Sequence, residues 1–193
     1  MTVRVSTVGD MPWFRRSAQP PPLPAQVRAG LGLGRAERLL THAMLVDGSW
    51  IVATSAALVL VAPVTGPDAG PGTPHARYLW HDVAEATWDP DTRTIEVHWV
   101  SQTRRPLQLV LDDHDTYLPE VLRERVMSTY VLSERVAVRG RRGVTVAIRR
   151  HAVDGSLFSQ AVPDAGIDLE RPQVADQVAN LTRDLSAQVG LAP

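Results

Sequence analysis

The sequence predicts an α+β fold: a seven-stranded antiparallel β-barrel or sandwich capped by one helix, with a C-terminal βββα extension. Three observations carry this. Residues 44–63 hold an Asp47-Gly48 turn signal and then two apolar runs split at Thr54-Ser55, which reads as a central antiparallel hairpin closed by Pro63. Residues 94–100 alternate Ile95, Val97 and Trp99 with Thr94, Glu96 and His98, the period-two pattern of a sheet with one wet face. Residues 117–132 then change period. Leu118, Val121, Leu122, Arg125, Thr129 and Tyr130 share one face at three-four spacing, with Pro119 confined to the first turn, as in an amphipathic helix.

The 193 residues fit one domain, or one domain plus an appendage. At this size about 70% of the unfolded chain's surface is buried on folding. Residues 1–34 read as a Pro-rich, partly disordered arm. Arg15-Arg16 precede Gln19-Pro-Pro-Pro-Leu-Pro24, a polyproline II segment that serves as a linker or as a docking ligand for an SH3-like partner. Trp13-Phe14 has the apolar surface to dock back on the domain, and residues 24–33 are placed in a short helix. Gly30-Leu-Gly-Leu-Gly34 is not a phosphate loop, because no strand precedes it and no Lys-Ser/Thr follows.

The seven strands are placed at residues 38–46, 50–54, 57–62, 77–81, 83–88, 94–100 and 106–111, with a Pro- and Gly-crowded loop over 63–74. After the helix, Val136 and Val138 alternate with Arg135 and Arg139 up to a Gly140–Gly143 turn. Val144, Val146 and Ile148 continue the alternation, and Asp154-Gly155 turns into residues 157–162. Pro172 suits the first turn of a closing helix carrying Val174, Val178, Leu181, Leu185 and Val189. Residues 133–193 therefore form a three-stranded meander plus helix, too small to stand alone and packed on the first domain.

Gly48-Ser-Trp-Ile-Val-Ala-Thr-Ser-Ala-Ala-Leu-Val-Leu60 and Leu79-Trp-His-Asp-Val-Ala-Glu-Ala-Thr-Trp88 carry a resemblance. This part of the chain, residues 35–132, resembles bacterial pleckstrin-homology-like (PH-like) and GRAM-type domains. The whole chain is also similar to uncharacterised actinobacterial proteins, a similarity that implies no activity. The resemblance implies the strand-strand-helix order above and a scaffold role. It departs from the family's lipid readers at one place: they are basic in the loop between strands one and two, where this chain has Val46-Asp47-Gly48-Ser49. A carboxylate there repels a phosphate headgroup.

Composition removes several functions. With no Cys, the chain has no disulfide framework, thiolate zinc site or Cys nucleophile. All twenty basic residues are Arg, so Schiff-base chemistry and a P-loop lysine are absent as well. A formal net charge of −1 argues against a globally basic nucleic-acid binder. No apolar run reaches the roughly 18 residues of a membrane span. No signal-peptide order precedes Gly9, Asp10 and Pro12, so a cytoplasmic protein is expected.

The candidate binding residues are Arg135, Arg139, Arg141, Arg142, Arg149 and Arg150, offset locally only by Glu134. On a hairpin they concentrate positive charge for a nucleic-acid backbone or an anionic lipid surface, or they form a solvated, charge-protected ribbon. Asp112-Asp113-His114-Asp115 lacks the Gly and closing Glu of a calcium loop and reads as a helix entry. Gly48-Ser49 and Gly155-Ser156 are turn serines rather than nucleophiles. Trp50, Trp80, Trp88 and Trp99 fall on strands and read as core. No catalytic residue, metal or cofactor is assigned. The sequence thus points to a non-enzymatic scaffold or protein-interaction module, alone or as a homodimer, with anion binding through the 135–150 hairpin as the alternative.

Overall fold

The computed structural model describes residues 21–64, 66, 70–114 and 116–191; Trp13-Phe14, Arg15-Arg16 and Asp115 lie outside them. Ten antiparallel strands form three open sheets, accompanied by three helices. The first sheet runs β1 (Leu39–Met44), β2 (Trp50–Thr54), β3 (Ala57–Val61), β4 (Pro74–Leu79) in chain order. The second is β5 (Val83–Asp89), β6 (Thr94–Trp99), β7 (Leu107–Val110). The third comprises β8 (Tyr130–Arg139), β9 (Arg142–Arg150) and β10 (Leu157–Pro163), with β9 central. The helices are α1 (Ala25–Gly30), α2 (Leu118–Ser128) and α3 (Pro172–Gln188).

The element order follows the expectation, but the seven strands form two open sheets rather than a closed barrel. β1 and β7 meet at their ends through the isolated Leu45–Leu111 bridge, where Val46 N donates to Val110 O at 3.0 Å and Asp112 N to Met44 O at 3.1 Å. On the other side a single 3-10 turn, Trp80–Asp82, parts β4 from β5. That turn redirects the chain, so β5 starts a new sheet instead of extending the first. Trp80, placed on a strand by its apolar surroundings, lies in this turn. Its side chain is fully buried and its indole N–H donates to Thr54 O at 2.9 Å.

The helix after β7 is shorter than its periodicity suggests. α2 stops at Ser128, and Tyr130 to Leu132 belong to β8, because Leu132 pairs with Ile148 and Tyr130 with Arg149. The buried stripe is Leu118, Leu122 and Val126 at i, i+4, i+8, so Val126 rather than Arg125 faces the core. Thr129 ends the helix by donating its hydroxyl to Val126 O at 2.6 Å.

β2 and β3 are buried at every position, which explains why their sequences are continuous apolar runs rather than alternations. Ile51, Ala53, Leu58 and Leu60 face the core shared with the second sheet and α2. Trp50, Val52, Val59 and Val61 face the other way, against Val27 and Leu31 of the arm. This second face needs α1 close. Gly30 and Gly72 permit it: a Cβ on Gly30 would lie 1.6 Å from Gly72 O, and Gly72 N donates to Gln26 O at 2.8 Å. The C-terminal end of the predicted arm is therefore part of the core.

In the third sheet the two faces divide the sequence cleanly. Val144, Val146 and Ile148 of β9 pack on α3 through Val174 and Leu185. The alternate residues Thr145, Ala147 and Arg149 face the first two sheets.

Val27→Ala is expected to cost about 2 kcal/mol in urea unfolding, the range for truncating a buried aliphatic side chain. A cost below about 0.5 kcal/mol would show that α1 only rests on the surface.

Candidate functional site

Arg149 lies at the centre of the seam where the third sheet meets the first two. Its residue is fully buried. Its Nε donates to Thr129 Oγ1 at 3.0 Å, and Nη2 reaches the same oxygen as well as Trp80 O at 3.1 Å and Val83 O at 3.2 Å. Nη1 donates to His81 O at 3.1 Å, Val83 O at 3.2 Å and Gln160 Oε1 at 2.8 Å. The donor directions are consistent: the Thr129 proton goes to Val126 O, leaving its lone pairs for the guanidinium. Gln160 turns its amide nitrogen to His81 O at 3.2 Å, which fixes its oxygen toward Arg149.

No carboxylate hydrogen-bonds this cation. Burial pulls its pKa below the ordinary arginine value, yet a guanidinium stays charged in proteins. Carbonyl dipoles and the Tyr130 ring, 4.2 Å below the guanidinium carbon, compensate it instead. Asp82 supplies a more distant counter-charge.

Two histidines lie beside it. The His81 and His151 rings are 4.1 Å apart, and both contact Phe158, at 5.2 Å and 5.1 Å. His81 Nδ1 is buried with no hydrogen-bond partner. Burial, with His151 and Arg149 as like charges, lowers the His81 pKa, while Asp82 at 3.9 Å opposes the shift.

A second tie runs along the same seam. Gln102, in the β6–β7 loop, donates from Nε2 to Pro163 O at 2.9 Å and Asp164 O at 2.8 Å. Below it lies a cleft of about 640 Å³ between the β6–β7 loop, with Val100 and Thr103, and β10 with the loop after it, with Ala161, Ile167 and Leu169. Its rim carries Asp168 and Glu170.

The structure splits the six arginines expected to act together: Arg135, Arg139, Arg141 and Arg142 stay around the Gly140–Gly143 turn, with Arg139 paired to Arg142 and Arg135 Nη2 donating to Arg141 O at 3.0 Å, while Arg149 and Arg150 lie apart. Arg149 is withdrawn from the surface altogether. Arg135 is bound to the Asp164 carboxylate, which also accepts from Gly143 N at 2.8 Å, and Arg142 donates to Ala165 O at 3.3 Å. Arg139, Arg141 and Arg150 are exposed and form no ion pair among the described residues. Arg150 stands at the far end of β9 from Arg142, about 26 Å away at the usual rise of a strand. The six therefore form no single anion cradle. Asp47 sits in the β1–β2 turn as expected, accepting from Ser49 N and Oγ, which holds its pKa below the usual carboxylate range.

Asp112 pairs with His114 at 2.5 Å in the loop before α2, whose first N–H, Leu118 N, donates to Thr116 Oγ1 at 3.1 Å. Among the described residues no three His, Asp or Glu side chains converge as a metal site, and no helix is long and apolar enough to cross a membrane. The His81–His151 contact and the shared cleft were not visible in sequence, since seventy positions separate the two histidines. Compared with protein-family models, curated proteins and solved structures, the chain matches none.

Arg149→Ala is expected to destabilise the protein by about 3–5 kcal/mol, the cost of stranding buried polar partners. Arg141→Ala should stay within about 0.5 kcal/mol. Denaturant titration of the two variants side by side checks both values; similar small losses would mean that Arg149 is not an internal tie.

Proposed function

We propose that the chain is a non-enzymatic interaction module, a pleckstrin-homology-like unit whose C-terminal extension is fixed against it to make one composite docking surface. Supporting the family reading, four strands and then three are followed by a helix packed on them, in the order the sequence resemblance implies. The observation that carries the functional reading is the use of Arg149. The most strongly held cation of the 135–150 hairpin is consumed in tying the units together rather than offered to a ligand.

A rigid seam has a use in recognition: a pre-organised surface loses less conformational entropy on binding than two loosely tethered units do. The cleft under Gln102 draws one wall from each unit, and its floor is apolar with a polar rim, the composition that excludes water around a docked side chain. A protein partner presenting an aliphatic anchor fits this better than an inorganic or nucleic-acid phosphate does. The acidic rim of Asp168 and Glu170 and the acidic β1–β2 turn both disfavour polyanions.

Photocrosslinking from position 101 in source cells should capture a partner that Thr103→Arg, which fills the cleft, abolishes, and that Arg139→Ala/Arg141→Ala leaves intact. The anion-binding alternative requires the reverse, with salt-sensitive retention on heparin or anionic vesicles lost in the double Arg variant. Under the reading proposed here the wild-type protein flows through both at physiological salt.

A further inference from the structure

We propose that the seam is acid-labile: protonation of His81, packed against His151 within the joint that Arg149 holds, opens that joint, separating the C-terminal sheet from the first two and dissolving the cleft between them. The inference stands on the geometry of the joint and is independent of what the cleft binds.

The argument begins with charge density. Arg149 is a permanent cation, buried, whose hydrogen-bonded partners are all neutral. The His81 ring is 4.1 Å from His151, and the His81 main-chain oxygen is itself one of the Arg149 acceptors. Protonation of His81 would place a second cation beside Arg149 on one small patch of a single seam. Facing them are Asp82, on the same turn as His81, which is 3.9 Å away and half exposed, and Asp154, on the β9–β10 turn, which interacts electrostatically with His151. Tyr130, Thr129 and Gln160, from β8, the end of α2 and β10, bring no negative charge at neutral pH. Asp82 is half exposed and Asp154 solvent-exposed, so neither carboxylate offsets two cations held this close inside the seam.

His81 cannot relieve the charge locally. Its Nδ1 is buried without a partner, so a proton there finds neither an acceptor nor solvent unless the joint opens. The lowered pKa of His81 agrees in direction.

The sign follows from linkage. The folded joint disfavours a proton that the opened state accepts at the ordinary histidine value of about 6.5. The closed state therefore keeps its full advantage above that pH and loses it as pH falls through the window below. The carboxylates cannot mimic this. Asp47 and Asp164, held low by hydrogen bonds from Ser49 and Arg135, lose their contribution only near and below their ordinary acid range.

The test is amide hydrogen exchange on the full chain at pH 7.5, 6.5, 5.8 and 5.0, converted to opening constants after correction for intrinsic exchange. The reporter is Arg150 N, which donates to Thr129 O beside the joint, at the pivot where β8 leaves α2, and the control is Val59 N in the core of the first sheet. The opening constant at Arg150 should rise by up to about tenfold per pH unit below 6.5, while that at Val59 rises less. His81→Phe, which keeps an aromatic ring and cannot take a proton, should flatten the rise at Arg150. If His81→Phe does not fold, His81→Gln, which likewise cannot take a proton in this range, serves, and it too should flatten the slope. A constant opening at Arg150 between pH 7.5 and 5.0, or a slope unchanged in the variant that folds, would overturn the proposal.

Discussion

A buried guanidinium that has no carboxylate partner must find its compensation in neutral dipoles, and in this protein that requirement sets how three sheets meet. Arg149 collects the carbonyls of Trp80, His81 and Val83, the hydroxyl of Thr129 and the amide oxygen of Gln160. Those acceptors come from the turn between the first and second sheets, the end of α2, and an edge strand of the third sheet. Removing water from a charge is expensive, and an incomplete set of acceptors would make this position strongly destabilising. The set is complete only when all three elements are in place, so the arginine works as a condition on assembly as much as a source of affinity.

The same condition explains details that otherwise look incidental. The 3-10 turn that prevents barrel closure is also the element that exposes two main-chain oxygens to Arg149. The early stop of α2 at Ser128 puts Thr129 where its hydroxyl can donate to Val126 O and still accept from the guanidinium. Tyr130 starts β8 rather than extending the helix, and its ring then lies under the charge. A closed barrel with a longer helix would satisfy the hydrophobic pattern equally well but would leave this cation stranded.

That contrast marks what was legible in the sequence. Strand alternation in 94–100, the apolar runs around Thr54-Ser55 and the Asp47-Gly48 turn are local signals, and the elements they imply are present. The helix boundary failed because Tyr130-Val-Leu continues an apolar periodicity that strand pairing with β9 overrides. The inward turn of one member of the arginine cluster, Arg149, was missed for a related reason. Counting charges along a hairpin ignores that side chains alternate across it, so Arg149 points inward while Arg150 points out. A local signal did exist: Thr145, Ala147 and Arg149 form one row of β9, and its small, uncharged members mark a covered face. The His81–His151 contact had no such signal, since it exists only once the third sheet is docked.

Docking is therefore the claim on which the account turns, and the cooperativity of unfolding tests it most directly. Peptide-level hydrogen exchange across a urea titration reports the first sheet and the third sheet separately. In the wild-type protein β3 and β9 should lose protection at one common midpoint, and in Arg149→Met the two midpoints should separate. Distinct midpoints already in the wild type, or a common midpoint that survives in Arg149→Met, would contradict the account.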